Sequence, residues 1–269
     1  EGICLFVWNM YGMLVTEDQV NSFELIGFNR STVGLNAAIW TGERYVAVGN
    51  GGRIVYTDDG ITLTSPSSPV LHDLDDLVKG RNELVAVGED GAIVHSTEGK
   101  EWENVSFDEN VDFTRVESFE NQYFATSNEG IYVSENGRKW SQIRDELDPD
   151  YNPRLIDIAY SGRKFVAIED GNYGDLYVSS NGIDWGKLEF NKGELRENLA
   201  IEYTGEEFLL MTEPGVDPIE FFASKDGIEW AKVHVRPTRV QSNDFAWMGE
   251  GFLMTGAYDI PLVVGGLKE

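Results

Sequence analysis

Three segments late in the chain carry carboxylates, several in the first two and one in the third, and in two of them a tyrosine: Glu169-Asp170-Gly171-Asn172-Tyr173-Gly174-Asp175, Glu213-Pro214-Gly215-Val216-Asp217-Pro218 and Ala257-Tyr258-Asp259-Ile260-Pro261. A fourth, residues 145–153, reads DELDPDYNP and contributes Asp150 and Tyr151. Carboxylates accept hydrogen bonds from hydroxyl, ammonium and guanidinium groups, and a tyrosine face attracts a cation. Asp150, Tyr151, Asp170, Tyr173, Asp175, Asp217, Tyr258 and Asp259 are therefore the candidate ligand-binding residues, suited to a sugar, a cation or a basic peptide. The plainer alternative is a set of solvated loops whose Gly and Pro only shape turns.

Other chemistries lack their residues. His72, His95 and His234 are far apart, without the paired spacing of a zinc site. The chain holds neither a GxxxxGK[ST] phosphate loop nor a GxSxG nucleophile elbow. The abundance of Asp and Glu is compatible with calcium, but no EF-hand spacing is present, so no cofactor is assigned. No catalytic residue is assigned either.

The elements that must position these segments are set by a repeat. The phrase Ser/Thr-x-Asp/Asn/Glu-Gly-x-x-Trp recurs with Glu98, Gly99 and Trp102; with Asn136, Gly137 and Trp140; with Asn181, Gly182 and Trp185; and with Asp226, Gly227 and Trp230. A further copy has Asp59 and Gly60 but Leu63 at the Trp position, and a degenerate one runs from Thr16 to Phe23. The glycines at 60, 99, 137, 182 and 227 are 39, 38, 45 and 45 residues apart. Each phrase follows two β-rich runs, as Tyr45-Val46-Ala47-Val48 and Arg53-Ile54-Val55-Tyr56 precede Asp59. The phrase is thus a hairpin turn: the Asp or Asn side chain bonds turn amides, Gly supplies positive φ, and the Trp begins the next strand as an apolar anchor. With a run ending in an aromatic before each pair, such as Ile39-Trp40-Thr41-Gly42, every repeat has four strands, called A to D in chain order. Four short antiparallel strands in about 40–45 residues make the blade of a β-propeller.

Complete blades are expected at 34–65, 71–107, 112–144, 154–189 and 198–235, with partial ones at 1–30 and 241–269. The whole chain, 1–269, is expected to be one all-β propeller domain of seven blades, six being the alternative. The B–C turns and interblade connections then share one end of the blades, where the candidate ligand-binding residues fall.

These phrases, above all Tyr45-Val46-Ala47-Val48-Gly49-Asn50-Gly51-Gly52 and Val178-Ser179-Ser180-Asn181-Gly182-Ile183-Asp184-Trp185, resemble the Asp-box propellers. That group includes sialidases, sortilin-type receptors, photosystem II assembly-factor propellers and bacterial surface proteins, and the likeness is nearest to the last two. The resemblance implies that Asp-box acids are structural and sit on the rim. A sialidase-like glycosidase would need three carboxylate-clamping arginines and a Tyr/Glu pair. The nearest phrase, Asn152-Pro153-Arg154-Leu155, has the wrong order, and Arg115, Arg154, Arg196 and Arg239 near the starts of A strands are read as balancing local acid. The expectation is a non-catalytic, extracellular or surface-exposed module that binds a protein or glycan. The alternatives are a glycoside hydrolase and a subunit of a surface or viral assembly.

Composition narrows the partners. Of 269 residues 41% are hydrophobic and 12% aromatic, enough for a real core. Lys and Arg number 21 against 47 Asp and Glu, a net charge of -26, which repels nucleic acid and anionic membranes. Cys4 is the only cysteine, so no intrachain disulfide forms. No apolar run reaches the length of a membrane span.

Overall fold

The second strand of a repeat, such as YVAVG or LVAVG, has no polar alternation, and all five of its residues are buried in both cases. A strand of that kind needs cover on both faces, which here comes from the sheets packed on either side. The computed structural model describes residues 3–6, 12–16, 24–27, 34–59, 62–107, 110–143, 154–169, 175–188, 197–213, 219–233, 242–247, 251–256 and 262–265. It has two compact units, Glu1–Ile143 and Arg144–Glu269, each taken by itself below.

In the first unit, β1 (Ile3–Phe6), β2 (Gly12–Thr16) and β3 (Glu24–Gly27) form one antiparallel sheet. A second contains β4 (Leu35–Trp40), β5 (Tyr45–Gly49) and β6 (Arg53–Thr57), with a lone bridge from Tyr56 to Thr64 where a fourth strand would lie. The next two sheets are four-stranded: β7 (Leu74–Lys79), β8 (Leu84–Gly88), β9 (Ile93–Ser96) and β10 (Glu103–Asn104), then β11 (Phe113–Phe119), β12 (Gln122–Ser127), β13 (Gly130–Ser134) and β14 (Ser141–Ile143).

The second unit continues the pattern. Its sheets are β15 (Leu155–Tyr160), β16 (Phe165–Glu169), β17 (Leu176–Ser179) and β18 (Gly186–Leu188), then β19 (Glu197–Tyr203), β20 (Phe208–Glu213), β21 (Glu220–Ser224) and β22 (Ala231–Val233), and finally β23 (Ser242–Trp247), β24 (Gly251–Gly256) and β25 (Leu262–Gly265). Every strand pairs with its chain neighbour.

Within each unit the A strands of successive sheets lie side by side, β4 beside β7 and β7 beside β11, as β15 beside β19 and β19 beside β23, and β1 also lies beside β4. The core fills the space between successive sheets. Val46, Val48 and Ile54 of one pack against Leu74, Leu77, Leu84 and Trp102 of the next, and Val166, Ile168 and Leu176 against Ile201, Phe208 and Leu210. Burying each such aliphatic side chain contributes about 1.5–3 kcal/mol.

One feature of the A strands is absent from any reading of the repeat. Among the described residues six of them begin with a register shift, between Leu35 and Ala37, Leu74 and Asp76, Phe113 and Arg115, Leu155 and Asp157, Asn198 and Ala200, and Ser242 and Asp244. Each is a β-bulge that places one extra residue (36, 75, 114, 156, 199 or 243) without a cross-strand partner. Bulges re-aim side chains and raise local twist.

Candidate functional site

Antiparallel pairing puts A–B and C–D turns at one end of each sheet, and B–C turns with the starts of A strands at the other. At the C–D turns of the repeat phrase, Asn136 Oδ1 accepts the amides of Arg138 and Lys139 at 2.9 and 3.0 Å, and Asn181 Oδ1 those of Ile183 and Asp184 at 2.9 Å each. Asp226 Oδ1 does the same for Ile228 and Glu229 at 2.8 and 2.9 Å, and these main-chain donors hold its carboxyl below the usual range. Asp59 Oδ1 accepts the Thr62 amide at 2.7 Å; Gly60 is outside the described residues.

Trp102, Trp140 and Trp185 each donate their indole N–H to the carbonyl of the turn glycine, Gly99, Gly137 and Gly182, at 3.1–3.2 Å. Trp230, after Gly227, sets its ring 6.4 Å from Phe208. Glu98 differs. Its carbonyl receives Arg44 Nη1 at 2.5 Å, but its carboxylate caps no turn amide.

Of the candidate ligand-binding residues, Asp150, Tyr151, Asp170, Tyr173, Asp217, Tyr258 and Asp259 lie outside the described residues, as do Arg196 and Arg239. Asp175 is described. Its carboxylate is 2.5 Å from Lys187 Nζ, and its main chain exchanges bonds with Glu169 just before β17. Arg154 directly precedes β15, and Arg115 follows the bulge of β11.

The B–C end of the first unit is laid out by a repeated pair of bonds. The amides of Asn50, Glu89 and Asn128 donate to the carbonyls of Gly34, Asp73 and Asp112, closing each B–C turn on the start of its own A strand. The turn amides of Gly51 and Asp90 then reach the carboxylates of Asp73 and Asp112, 22 residues on in both cases, at 2.6 and 3.1 Å. Asp73 and Asp112 thus tie one sheet's turn to the next sheet's first strand.

Asp75 does something else. As the bulge residue of β7 it meets the bulge residue of β4: Asn36 Nδ2 donates to Leu74 O at 3.0 Å and to Asp75 Oδ1 at 3.3 Å. Burial pushes the Asp75 carboxyl up to about 6, with the charges of Glu89, Asp73, Asp76 and Asp112 adding to the shift. Glu89 is also raised, by burial and by Asp73, Asp112 and Asp90. His72 Nδ1 lies 2.8 Å from Asp90 Oδ2, and the adjoining Leu71 is 85% exposed. Among the described residues no group of three or more His, Cys, Asp or Glu is arranged to hold a metal ion. The patch is therefore an acidic surface with one apolar side chain at its edge, and its carboxylates repel one another. A cation of a partner would relieve that repulsion.

Sequence reasoning did not single out Asn36, Asp75 or Glu89. The run His72-Asp73-Leu74-Asp75-Asp76 was the available signal, but only strand register shows which of its acids is the bulge residue.

No family model and no curated protein matches the chain. Solved structures do. The chain is similar to YCF48 bound to D1 peptide, with a TM-score of 0.74 and 19% identity over 100% of this chain and 97% of that one. It is similar to YCF48 from Cyanidioschyzon merolae, with a TM-score of 0.68 and 15% identity over 99% and 96% of the two chains. An ancestral GH74 enzyme matches with a TM-score of 0.70 and 16% identity over 91% of this chain but 41% of that one. At these identities the likeness speaks to fold, and with the stacked antiparallel sheets it identifies the chain as an all-β protein of the β-propeller fold.

Proposed function

We propose that this chain is a non-catalytic binding propeller that receives a basic segment of a protein partner on the B–C-turn end of its blades. The observation that carries the reading is the half-buried Asp75, the bulge residue of its strand, touched by the bulge residue of the neighbouring blade and surrounded by carboxylates that tie down adjacent turns. A Lys or Arg side chain supplies the missing charge, and Leu71 offers an apolar contact next to it. Support also comes from one structural neighbour having been solved with a bound peptide. The Asp-box reading of the C–D turns belongs to the same proposal: their Ser, Asp or Asn and Gly form capped turns on the other end, as a structural role requires. An array of short peptides graded in charge tests the proposal. The wild-type chain should retain Arg- and Lys-rich peptides and the D75A/E89A variant should release them. Equal retention by both proteins would refute it.

A further inference from the structure

The five copies of the repeat phrase serve as internal controls for one another. Asp59, Asn136, Asn181 and Asp226 all spend a side-chain oxygen on turn amides, whereas Glu98, one methylene longer, caps none. Glu98 instead lines a cavity of about 450 Å³ at the A–B-turn end of the second and third sheets, together with Thr41, Glu43, Lys79, Arg81 and Glu83. That volume is within the range of small-molecule sites.

The lining is mixed in charge: it includes the acids Glu43, Glu83 and Glu98 and the bases Lys79 and Arg81, and Arg44 Nη2 stands 3.7 Å from the Glu43 carboxylate. Lys79 already donates its ammonium to the Thr41 carbonyl. The buried Arg44 is fixed by Asp58 at 2.7 Å, by the Glu98 carbonyl and by Glu43 at 3.7 Å, so it holds the backbone of Glu98 and not its carboxylate. Its bond to Asp58 holds that carboxyl below the usual range. Glu83, 30% exposed, meets His95, which is 1% exposed, with 2.8 Å between Oε2 and Nε2. The contact lies off the hydrogen-bond line, so Nε2 has no aligned partner. A buried imidazole nitrogen without a hydrogen bond thus stands against one oxygen of a cavity carboxylate.

We propose that this cavity binds an organic cation, a primary amine or guanidinium group held between the carboxylates of Glu83 and Glu98. The site is at the opposite end of the sheets from Asp75 and does not depend on the peptide reading. Calorimetric titration of the full chain with agmatine, and separately with a short arginine peptide, tests it. Agmatine should bind saturably at one site. E98D, which draws the carboxylate back into its turn, and E83Q should each weaken it at least tenfold, and D75N should leave it unchanged. Binding of agmatine alone identifies a free small cation as the occupant, and binding of both identifies a basic side chain. No saturable agmatine binding, or binding that E98D and E83Q leave intact, would overturn the assignment. Because E98D restores the cap used by the sister turns, a folding defect cannot imitate its effect.

Discussion

The Asp76 carboxylate accepts the main-chain N–H of Val116 at 2.8 Å, 40 residues further along the chain. It bridges the A strands of two neighbouring blades, and in the second unit Asp157 does the same for Ile201 at 2.9 Å across 44 residues. Both aspartates directly follow the bulge of their strand and are buried, at 8% and 7% exposure. A buried carboxylate is tolerable here because it is spent on backbone donors that the A strands, as inner edges, would otherwise leave unpaired.

Removing either carboxylate should therefore cost more than an exposed acid would. D76A and D157A are each expected to lose about 2 kcal/mol in urea denaturation, because a buried N–H loses its acceptor. D76N, which keeps an acceptor oxygen, should lose clearly less. Equal losses for D76A and D76N would mean that packing, and not the bond to Val116, is what matters.

The turn glycines make a second link between blades. Gly137 has φ +66°, and a Cβ there would come 2.5 Å from Val85 Cγ2 of the preceding blade. G137A is expected to cost about 2–4 kcal/mol, from left-handed strain together with overpacking. G162A has the strain at φ +81° but open space around it, so it should cost only about 1 kcal/mol. Pairing G137A with V85A should recover the difference, and a thermodynamic cycle on the two variants checks this.

Asp75 fixes the direction of a pH effect. Its carboxyl is raised from 3.8 to about 6 in the fold, so the folded protein binds that proton more tightly than the unfolded chain. The charged form is a penalty on stability that is fully present above pH 6 and is relieved as pH falls from there towards 4. D75N should accordingly raise the melting temperature at pH 8, by an amount that shrinks through pH 6 and is gone by about pH 4. A D75N protein that melts below the wild type at pH 8 would show instead that the contact with Asn36 is worth more than the repulsion.

Much of this fold was legible because its punctuation is local. Gly99, Gly137, Gly182 and Gly227 take positive φ in tight turns, and the chain signals those turns within seven residues by Ser, then Asn, Asp or Glu, and Trp. The doubly buried B strands announce themselves in the same way, by unbroken apolar runs. In the copy with Leu63 in place of Trp, the last strand of the blade is the single bridge at Thr64. What could not be read is non-local. That Asn36 meets Asp75, that Asp76 and not Asp75 reaches Val116, and that Glu98 abandons its turn all depend on strand register and on which sheet lies alongside. A bulge of one residue reverses which face a side chain takes.

Amide chemical-shift mapping during titration with a short peptide of arginine and leucine tests the central claim, that the B–C-turn end receives a basic partner segment. The amides of Gly51, Asp90 and Asn128 should move while those of Gly137, Gly182 and Gly227 stay still, and the D75N chain should show much smaller shifts. Movement confined to the C–D-turn glycines, or shifts that D75N leaves unchanged, would contradict the account.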